Sequence, residues 1–147
     1  MSLDDIKEVF KIEINALNKV ESRIGDNFLK ALDLLKNCKG RVILTGIGKS
    51  GIIAHKISAT FSSTGTPAVY LNAAEAVHGD LGLVQRGDLL IVISRSGSTD
   101  EVHTILAQVK LLGIPVIGIL GNLHSALAEK CDIVLDASVD EEACPFG

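Results

Sequence analysis

Two short turns rich in glycine and serine constrain this chain more than any other feature of its sequence. The first turn, GIGKSG at residues 46–51, follows the apolar run 41–45, and the second, SRSGSTDE at 94–101, follows the apolar run 88–93. Each leads into a segment with helical spacing of apolar residues. Such a turn presents unpaired N–H groups and hydroxyls at the positive end of the helix dipole, which favours an anion. On neighbouring parallel strands both turns would face one crevice, so a small phosphorylated ligand is the first hypothesis.

The rest of the chain alternates strand and helix patterns, which indicates an α/β fold. Apolar residues recur at three- and four-residue spacing over residues 4–24, and a second helix is predicted from about 28 to 40. Residues 72–86 form a longer connection. Strands are predicted at 42–45, 68–71, 89–93, 116–120 and 133–135, and helices at 50–63, 99–112 and 125–130. This order predicts a three-layer α-β-α sandwich of the flavodoxin or Rossmann type, with a five-stranded, mostly parallel sheet and added N-terminal helices.

Composition predicts a single hydrophobic core and argues against nucleic acid and a membrane as partners. Apolar residues make up 47% of the 147 residues and aromatics only 3%, so Ile, Leu, Val and Ala build the core, as buried parallel strands prefer. A net charge of −4 without a basic stripe argues against nucleic acid. No apolar run approaches the roughly 20 residues of a membrane span. The three cysteines are odd in number and form no CxxC pair, which is typical of reduced thiols in the cytoplasm.

The first turn also invites comparison with two nucleotide-binding motifs. A P-loop needs a glycine six residues before its lysine, where this chain has Ile43 inside a strand. The G-x-G-x-x-G dinucleotide fingerprint does match, between a strand and a helix. However, the second strand ends at Leu71 and Asn72, where that class has an acidic residue for the ribose. The dinucleotide interpretation is therefore the weaker one.

Five stretches taken together resemble the sugar isomerase (SIS) domain and, more narrowly, the bacterial arabinose 5-phosphate isomerase family. They are GIGKSG at 46–51, TFSSTGTP at 60–67, EAVHGDLG at 75–82, ISRSG at 93–97 followed by Glu101, and EACP at 142–145. The resemblance implies N-terminal helices at 1–40 and a sugar-phosphate-binding domain at 41–147. It implies isomerisation of D-ribulose 5-phosphate to D-arabinose 5-phosphate, for synthesis of the lipopolysaccharide sugar 3-deoxy-manno-octulosonate. It also implies a homotetramer with sites built between subunits.

The second turn is the predicted phosphate-binding element. An aldose–ketose isomerase needs a base, a group that polarises the carbonyl, and contacts that hold the phosphate. Hydroxyls suited to the phosphate are those of Ser94, Ser96, Ser98 and Thr99. Helix capping is the alternative role, but a cap needs one hydroxyl and not four. Gly48 and Ser50 of the first turn are predicted to bind the substrate as well.

Three further residues are the candidate catalytic groups, as the resemblance implies. Glu101 is the candidate base, although a carboxylate in the first turn of a helix also fits a capping or dipole role. Lys49 is suited to neutralise the enediol oxygen or hold the phosphate, with an exposed surface lysine as the alternative. His78 fits proton shuttling or carbonyl polarisation. No cofactor or metal is expected, because no two histidines have the spacing of a helical metal pair.

A second class of function stays open, a non-catalytic phosphosugar-sensing module. A sensor needs the phosphate contacts but no acid–base set, so the presence of Lys49, His78 and Glu101 favours the enzyme. The resembled family continues past the position of Gly147 through a Leu-Ala-Pro-Thr stretch, a further helix and a His-Pro-Gly-Gly segment, whose His is implicated in catalysis. Many members then add a paired cystathionine-β-synthase-type regulatory domain. We therefore expect a domain that is cut short at its C-terminus.

Overall fold

A five-stranded parallel sheet with helices on both faces organises the chain. The computed structural model describes residues 2–144. Its helices are α1 (Leu3–Ser22), α2 (Asp26–Asn37), α3 (Lys49–Ser63), α4 (Ala73–Ala76) and α5 (Asp100–Leu111), with short 3₁₀ helices at Asp80–Leu83 and Ala128–Lys130. Its strands are β1 (Val42–Gly46), β2 (Ala68–Asn72), β3 (Leu89–Ser94), β4 (Val116–Leu120) and β5 (Ile133–Asp136). The predicted α-β-α sandwich is confirmed.

The order of the strands creates a crevice. They run β2-β1-β3-β4-β5, and every pair is parallel. This is the flavodoxin order, in which the winding direction reverses between β1 and β3. The connections that leave these two strands therefore diverge to opposite faces of the sheet. Both glycine- and serine-rich turns stand at that point.

Both faces of the sheet are buried, which explains the continuous apolar strands. Along β1, Ile43 joins a core cluster with residues of α4 and α5, and Leu44 joins the cluster on the side of α2 and α3. On the first side Thr45 is fully buried, and its hydroxyl has no hydrogen-bond partner within the described residues. Strand β1 therefore contains one polar group whose desolvation is uncompensated.

A buried aspartate fastens the amino ends of the central strands. Asp88 is 3% exposed, and its two carboxylate oxygens accept N–H bonds from Arg41 and Gln85, both at 2.8 Å. Next to it, the Gly40 N–H donates to the Gly87 carbonyl at 2.8 Å. These bonds join the starts of β1 and β3 at the edge of the sheet opposite the two turns.

The first helix has no buried residue. Its exposed apolar side chains follow one another at three- and four-residue spacing: Leu3, Ile6, Phe10, Ile14 and Leu17. An apolar surface of this extent is typical of a protein–protein contact. Near its carboxyl end the helix is tied to the segment after β5, because Lys19 pairs with Asp140 and Arg23 bonds Ser138.

The structure departs from the sequence predictions in local detail. The predicted helix 125–130 is only the 3₁₀ turn Ala128–Lys130, because the Ser125 hydroxyl bonds nearby backbone groups, donating to the Asn122 carbonyl at 2.8 Å. The connection 72–86 contains α4 and a 3₁₀ turn. Four strands, β1, β2, β3 and β5, extend one residue beyond their predicted ends, since Gly46 pairs with Asn72, Ser94 with Leu120 and Leu120 with Asp136. The proposed division at residue 40 stays a prediction, and Met1 and residues 145–147 lie outside the described residues.

Candidate active site

A cleft of about 800 Å³ opens at the carboxyl ends of the central strands. It draws on both predicted turns, on the loop after β4 and on the segment that follows β5. Its lining residues are Ile47, Ser50, Ile93, Ser94, Arg95, Ser96, Thr99, Ile119, Gly121, Ala137, Val139 and Glu142. The fold therefore brings the two turns together in one concave site, as the sequence predicts.

Internal hydrogen bonds shape the second turn, residues 94–99, which we call the serine turn. Ser94 is buried, and its hydroxyl oxygen accepts the Gly97 N–H at 3.0 Å. The Ser98 hydroxyl donates to that of Ser96 at 3.0 Å. Thr99 is the N-cap residue of α5, but within the described chain its side chain makes no capping bond. The first N–H groups of α5 therefore lack a capping side chain and are available to an anion.

Gly97 lets the serine turn lie directly on the loop after β4. Its φ of +68° belongs to the left-handed region that side-chain-bearing residues avoid. A Cβ on this residue would overlap the Cβ and Oγ of Ser125, which is 7% exposed. Asn122 adds a bond from its side-chain amide to the Ser96 carbonyl at 3.4 Å. The serine turn is therefore stabilised both by its own hydrogen bonds and by contacts with the loop after β4.

The first turn, residues 46–51, which we call the lysine turn, lies close to the end of β3. Gly48, the N-cap of α3, has φ 57° and ψ −127°, a conformation that needs glycine. A Cβ on Gly46 would lie 2.9 Å from the carbonyl oxygen of Ile93. Ser50 is half-buried and lines the cleft, whereas Lys49 is exposed at the start of α3.

The cleft contains one ion pair that could not be predicted from the sequence. Arg95 Nη2 lies 2.8 Å from Glu142 Oε1, and both residues line the cleft. An arginine inside an anion-binding turn was a usable signal. The position of Glu142 was not visible, because it depends on the path of the chain after β5.

Comparison with known proteins gives this site its context. Residues 34–146 match the SIS domain family model. The chain belongs to the SIS domain family. It is 48% identical over 135 residues to arabinose 5-phosphate isomerase KdsD of Pseudomonas aeruginosa, covering 92% of this chain and 41% of that protein. Against the Francisella tularensis KdsD it is 44% identical over 147 residues, covering 98% and 45%. This SIS domain thus spans less than half the length of these curated relatives and groups with arabinose 5-phosphate isomerases.

Solved structures agree with this grouping. An Escherichia coli CFT073 protein in complex with arabinose 5-phosphate is 40% identical with a TM-score of 0.92, covering 100% of this SIS domain and 80% of that chain. The Vibrio vulnificus NanR protein complexed with ManNAc-6P has a TM-score of 0.79 at 19% identity, covering 95% and 51%. The second likeness shows the fold alone.

The SIS domain does not bring all predicted site residues together. Four of them share the cleft: Ser50, Ser94, Ser96 and Thr99. The other five do not line it: Lys49, His78, Glu101, Gly48 and Ser98. All but His78 lie within two residues of a lining residue in the sequence. The catalytic roles of Lys49, His78 and Glu101 therefore stay predictions.

His78 is the most distant of these groups in the sequence. It is exposed in the turn after α4, where its backbone N–H donates to the Glu75 carbonyl at 2.9 Å. Glu101 is half-buried in the first turn of α5, whereas its neighbour Asp100 is exposed.

The three cysteines of the SIS domain are unpaired. Burial, aided by the negative charge of Asp132, raises the pKa of the Cys131 thiol to about 11. Its sulfur donates to the Leu127 carbonyl at 3.2 Å. Cys131 is therefore an unreactive packing residue, while Cys144 is exposed.

Residues 2–144 lack two features that would bear on function. No group of three or more His, Cys, Asp or Glu side chains in this part of the chain is arranged to hold a metal ion. No helix in the same range has the length and apolar character required to cross a membrane.

Proposed function

We propose that this SIS domain is the catalytic domain of an arabinose 5-phosphate isomerase, which interconverts D-ribulose 5-phosphate and D-arabinose 5-phosphate through an enediol. The observation that carries the proposal is the cleft itself, which Ser50, Ser94, Ser96 and Thr99 line together and in which Thr99 is the N-cap of α5 without a side-chain capping bond. The 40% identity to a protein solved with arabinose 5-phosphate supports the choice of ligand.

The phosphate would be held at the serine turn. Uncapped N–H groups at the start of α5 and the hydroxyls of Ser94, Ser96 and Thr99 supply donors at the positive end of the helix dipole. Ser98 stabilises this arrangement by donating to the Ser96 oxygen. The position of the Ser96 hydroxyl is therefore set by the turn before any ligand binds.

Proton transfer would fall to groups beside the cleft. Glu101 lies two residues after Thr99 and is the candidate base, and Lys49 directly precedes Ser50 and would neutralise the enediolate oxygen. His78 would polarise the carbonyl or return the proton. A carboxylate, an ammonium and an imidazole together provide the base, the electrostatic stabiliser and the proton carrier that the reaction requires.

A second copy of the chain would complete the site, in a homotetramer. Lys49 is followed on α3 by Ile52 and Ile53, which are 69% and 52% exposed. A subunit that covers these two side chains would place its own residues beside Lys49. The exposed apolar face of α1 gives such an assembly a large contact surface. This arrangement would bring into one site the groups that the single chain leaves apart.

The biological setting forms part of the proposal. The product would feed synthesis of 3-deoxy-manno-octulosonate for lipopolysaccharide, in the cytoplasm. The names of the curated relatives support the reaction, and the unpaired cysteines fit a reducing compartment.

The direct test is turnover. The purified protein is incubated with ribulose 5-phosphate, and arabinose 5-phosphate is detected by NMR. Glu101→Gln and Lys49→Ala should each lower kcat by ~10²–10⁴-fold, the usual contribution of a positioned acid, base or charge. Asp100→Asn is the matched control, because it removes the neighbouring exposed carboxylate and should leave kcat unchanged. Equal losses in Glu101→Gln and Asp100→Asn would refute the assignment of the base.

One observation favours the alternative, a phosphosugar-sensing module. The phosphate-binding residues line the cleft of the single chain, whereas Lys49, His78 and Glu101 do not. Calorimetry decides between the two functions. Binding of arabinose 5-phosphate without turnover, insensitive to Glu101→Gln, would support the sensor and contradict the isomerase.

A further inference from the structure

Residues 136–139, which we call the wall segment, have two faces with different neighbours. Ala137 and Val139 line the cleft. Asp136 and Ser138 instead contact the junction of α1 and α2. Consecutive residues of an extended chain point to opposite sides, so this alternation is the one expected of a strand-like segment. One face of the wall segment therefore borders the cleft, while the other is held by the helices.

Arg23 makes three contacts with the wall segment. Its Nη1 donates to the Ser138 hydroxyl at 2.8 Å, and its Nη2 donates to the Ser138 carbonyl at 2.7 Å. Its Nε lies 3.4 Å from Asp136 Oδ2. The Arg23 side chain is 31% exposed and the Asp136 side chain 22%, so solvent screens this pair less than a surface pair. A guanidinium supplies these donors in one rigid plane, which an ammonium cannot do.

Both partners in these contacts have a fixed backbone. Arg23 is the C-cap residue of α1, and its N–H donates to carbonyls in the last turn of that helix. On the other side, Asp136 Oδ1 accepts the Ser138 N–H at 2.8 Å. The side-chain amide of Asn27, in the first turn of α2, donates to the Val134 carbonyl at 3.0 Å. The junction of the two helices therefore holds both β5 and the wall segment that follows it.

We propose that Arg23 is a positioning residue of the active site, which through its forked contact keeps the wall segment in the conformation that receives the substrate. This inference rests on the proposed function. Arg23 does not itself line the cleft. When the wall segment is ordered for only a fraction of the time, the apparent dissociation constant rises in inverse proportion to that fraction. Saturating substrate restores the ordered state, so loss of Arg23 raises KM and leaves kcat unchanged.

The test combines steady-state turnover of ribulose 5-phosphate with calorimetric binding of arabinose 5-phosphate. Arg23→Gln should raise KM and Kd about five- to tenfold, near the contribution of one hydrogen bond to a charged group, and change kcat by less than about twofold. Arg23→Lys keeps the charge without the planar fork, and should show most of the same rise. Arg86→Gln removes an exposed arginine before the start of β3 and should change none of these constants.

A second substitution locates the effect in the wall segment. Ser138→Ala removes the hydroxyl that accepts from Arg23, and should raise KM about two- to fivefold. In the Arg23→Gln background the same change should add nothing, because the two residues act through one contact. Amide hydrogen exchange over residues 136–139 should be faster in ligand-free Arg23→Gln than in the wild type. Saturating arabinose 5-phosphate should remove that difference.

Contrary results separate the positioning role from the proposed function. Unchanged KM and Kd in Arg23→Gln, with turnover intact, would refute the positioning role and leave the isomerase standing. A lower kcat at unchanged KM would mean only a loss of folded protein and would refute it as well. So would a wild-type KM in Arg23→Lys, because charge alone would then suffice.

Two outcomes bear on the isomerase itself. Binding of arabinose 5-phosphate that weakens without Arg23, in a protein that shows no turnover, would support the positioning role and refute the isomerase. A protein that does not bind arabinose 5-phosphate would refute both. Ser138→Ala leaves Arg23 in place and provides the same test of the contact if Arg23→Gln folds poorly.

Discussion

Replacing Gly97 with alanine should destabilise the protein and distort the serine turn. Gly97 has φ +68°, and a Cβ there would overlap both the Cβ and the Oγ of Ser125. Ser125 cannot move aside easily, because it is buried and its hydroxyl donates to the Asn122 carbonyl at 2.8 Å. The strain therefore falls on the loop that carries the phosphate-binding hydroxyls.

The expected loss in the free energy of unfolding has two contributions, which a control variant separates. The left-handed conformation costs a residue with a side chain about 1–2 kcal/mol. Overpacking against a fixed neighbour typically adds about 1–3 kcal/mol, so Gly97→Ala should lower the free energy of unfolding by about 2–5 kcal/mol in total. Gly113 has φ +70° with nothing within 4 Å of an added Cβ. Gly113→Ala should therefore show only the conformational cost.

Urea unfolding followed by circular dichroism measures both variants against the wild type. A double variant, Gly97→Ala with Ser125→Gly, should recover part of the loss, because the second change removes the overlapping atoms. Inorganic phosphate binding should weaken in Gly97→Ala and not in Gly113→Ala. Equal destabilisation of the two glycine variants would refute the overlap as the cause.

Three further predictions concern stability and reactivity. Thr45→Val should raise the free energy of unfolding by about 1–2 kcal/mol in urea, because it removes a buried hydroxyl without a partner. Asp88→Asn should lower the free energy of unfolding by about 1–3 kcal/mol in the same assay, because the amide nitrogen that replaces one carboxylate oxygen cannot accept a backbone N–H. Iodoacetamide at pH 8 should modify exposed Cys144 well before Cys131, whose pKa of about 11 keeps it protonated, as peptide mass spectrometry can follow.

Each of these predictions has a contradicting outcome. A destabilised Thr45→Val protein would mean that its hydroxyl is satisfied in solution. Asp33→Asn, an exposed aspartate on α2, is the control for Asp88→Asn, and equal stability of the two variants would remove the role given to the buried carboxylate. Labelling of Cys131 and Cys144 at similar rates would show that burial does not protect the first thiol.

The sheet and the two turns could be predicted because their signals are local. Apolar strands buried on both faces read as continuous hydrophobic runs, and Gly48 and Gly97 stand where the backbone needs positive φ. The positions of the two turns at the ends of β1 and β3 could therefore be predicted without any knowledge of tertiary contacts. The mistaken helix at 125–130 shows the limit of local signals, because one serine hydroxyl replaces helical bonding there.

The far wall of the cleft could not be predicted. Segment 137–142 has no regular secondary structure, and its position follows from contacts such as Lys19 with Asp140, which are 121 positions apart in the sequence. No periodic pattern marks such a pair. The same holds for Arg95 with Glu142, and for the placement of Lys49, His78 and Glu101 outside the lining of the cleft.

Because Asp88 joins the amino ends of β1 and β3, substitutions at the two ends of these strands should have different effects in the cell. Its bonds hold the central strands at one edge, and the cleft lies at the other. Substitutions around Asp88 should therefore reduce how much folded protein a cell accumulates while leaving each folded molecule fully competent. Substitutions of the cleft-lining hydroxyl residues Ser96 and Thr99 should leave abundance intact and alter ligand binding. A mutational scan that measures both the abundance of folded protein and ligand binding should therefore divide the substitutions by the end of the strands at which they lie. The carboxyl ends can vary in sequence because the bonds of Asp88 stabilise the fold at the opposite ends.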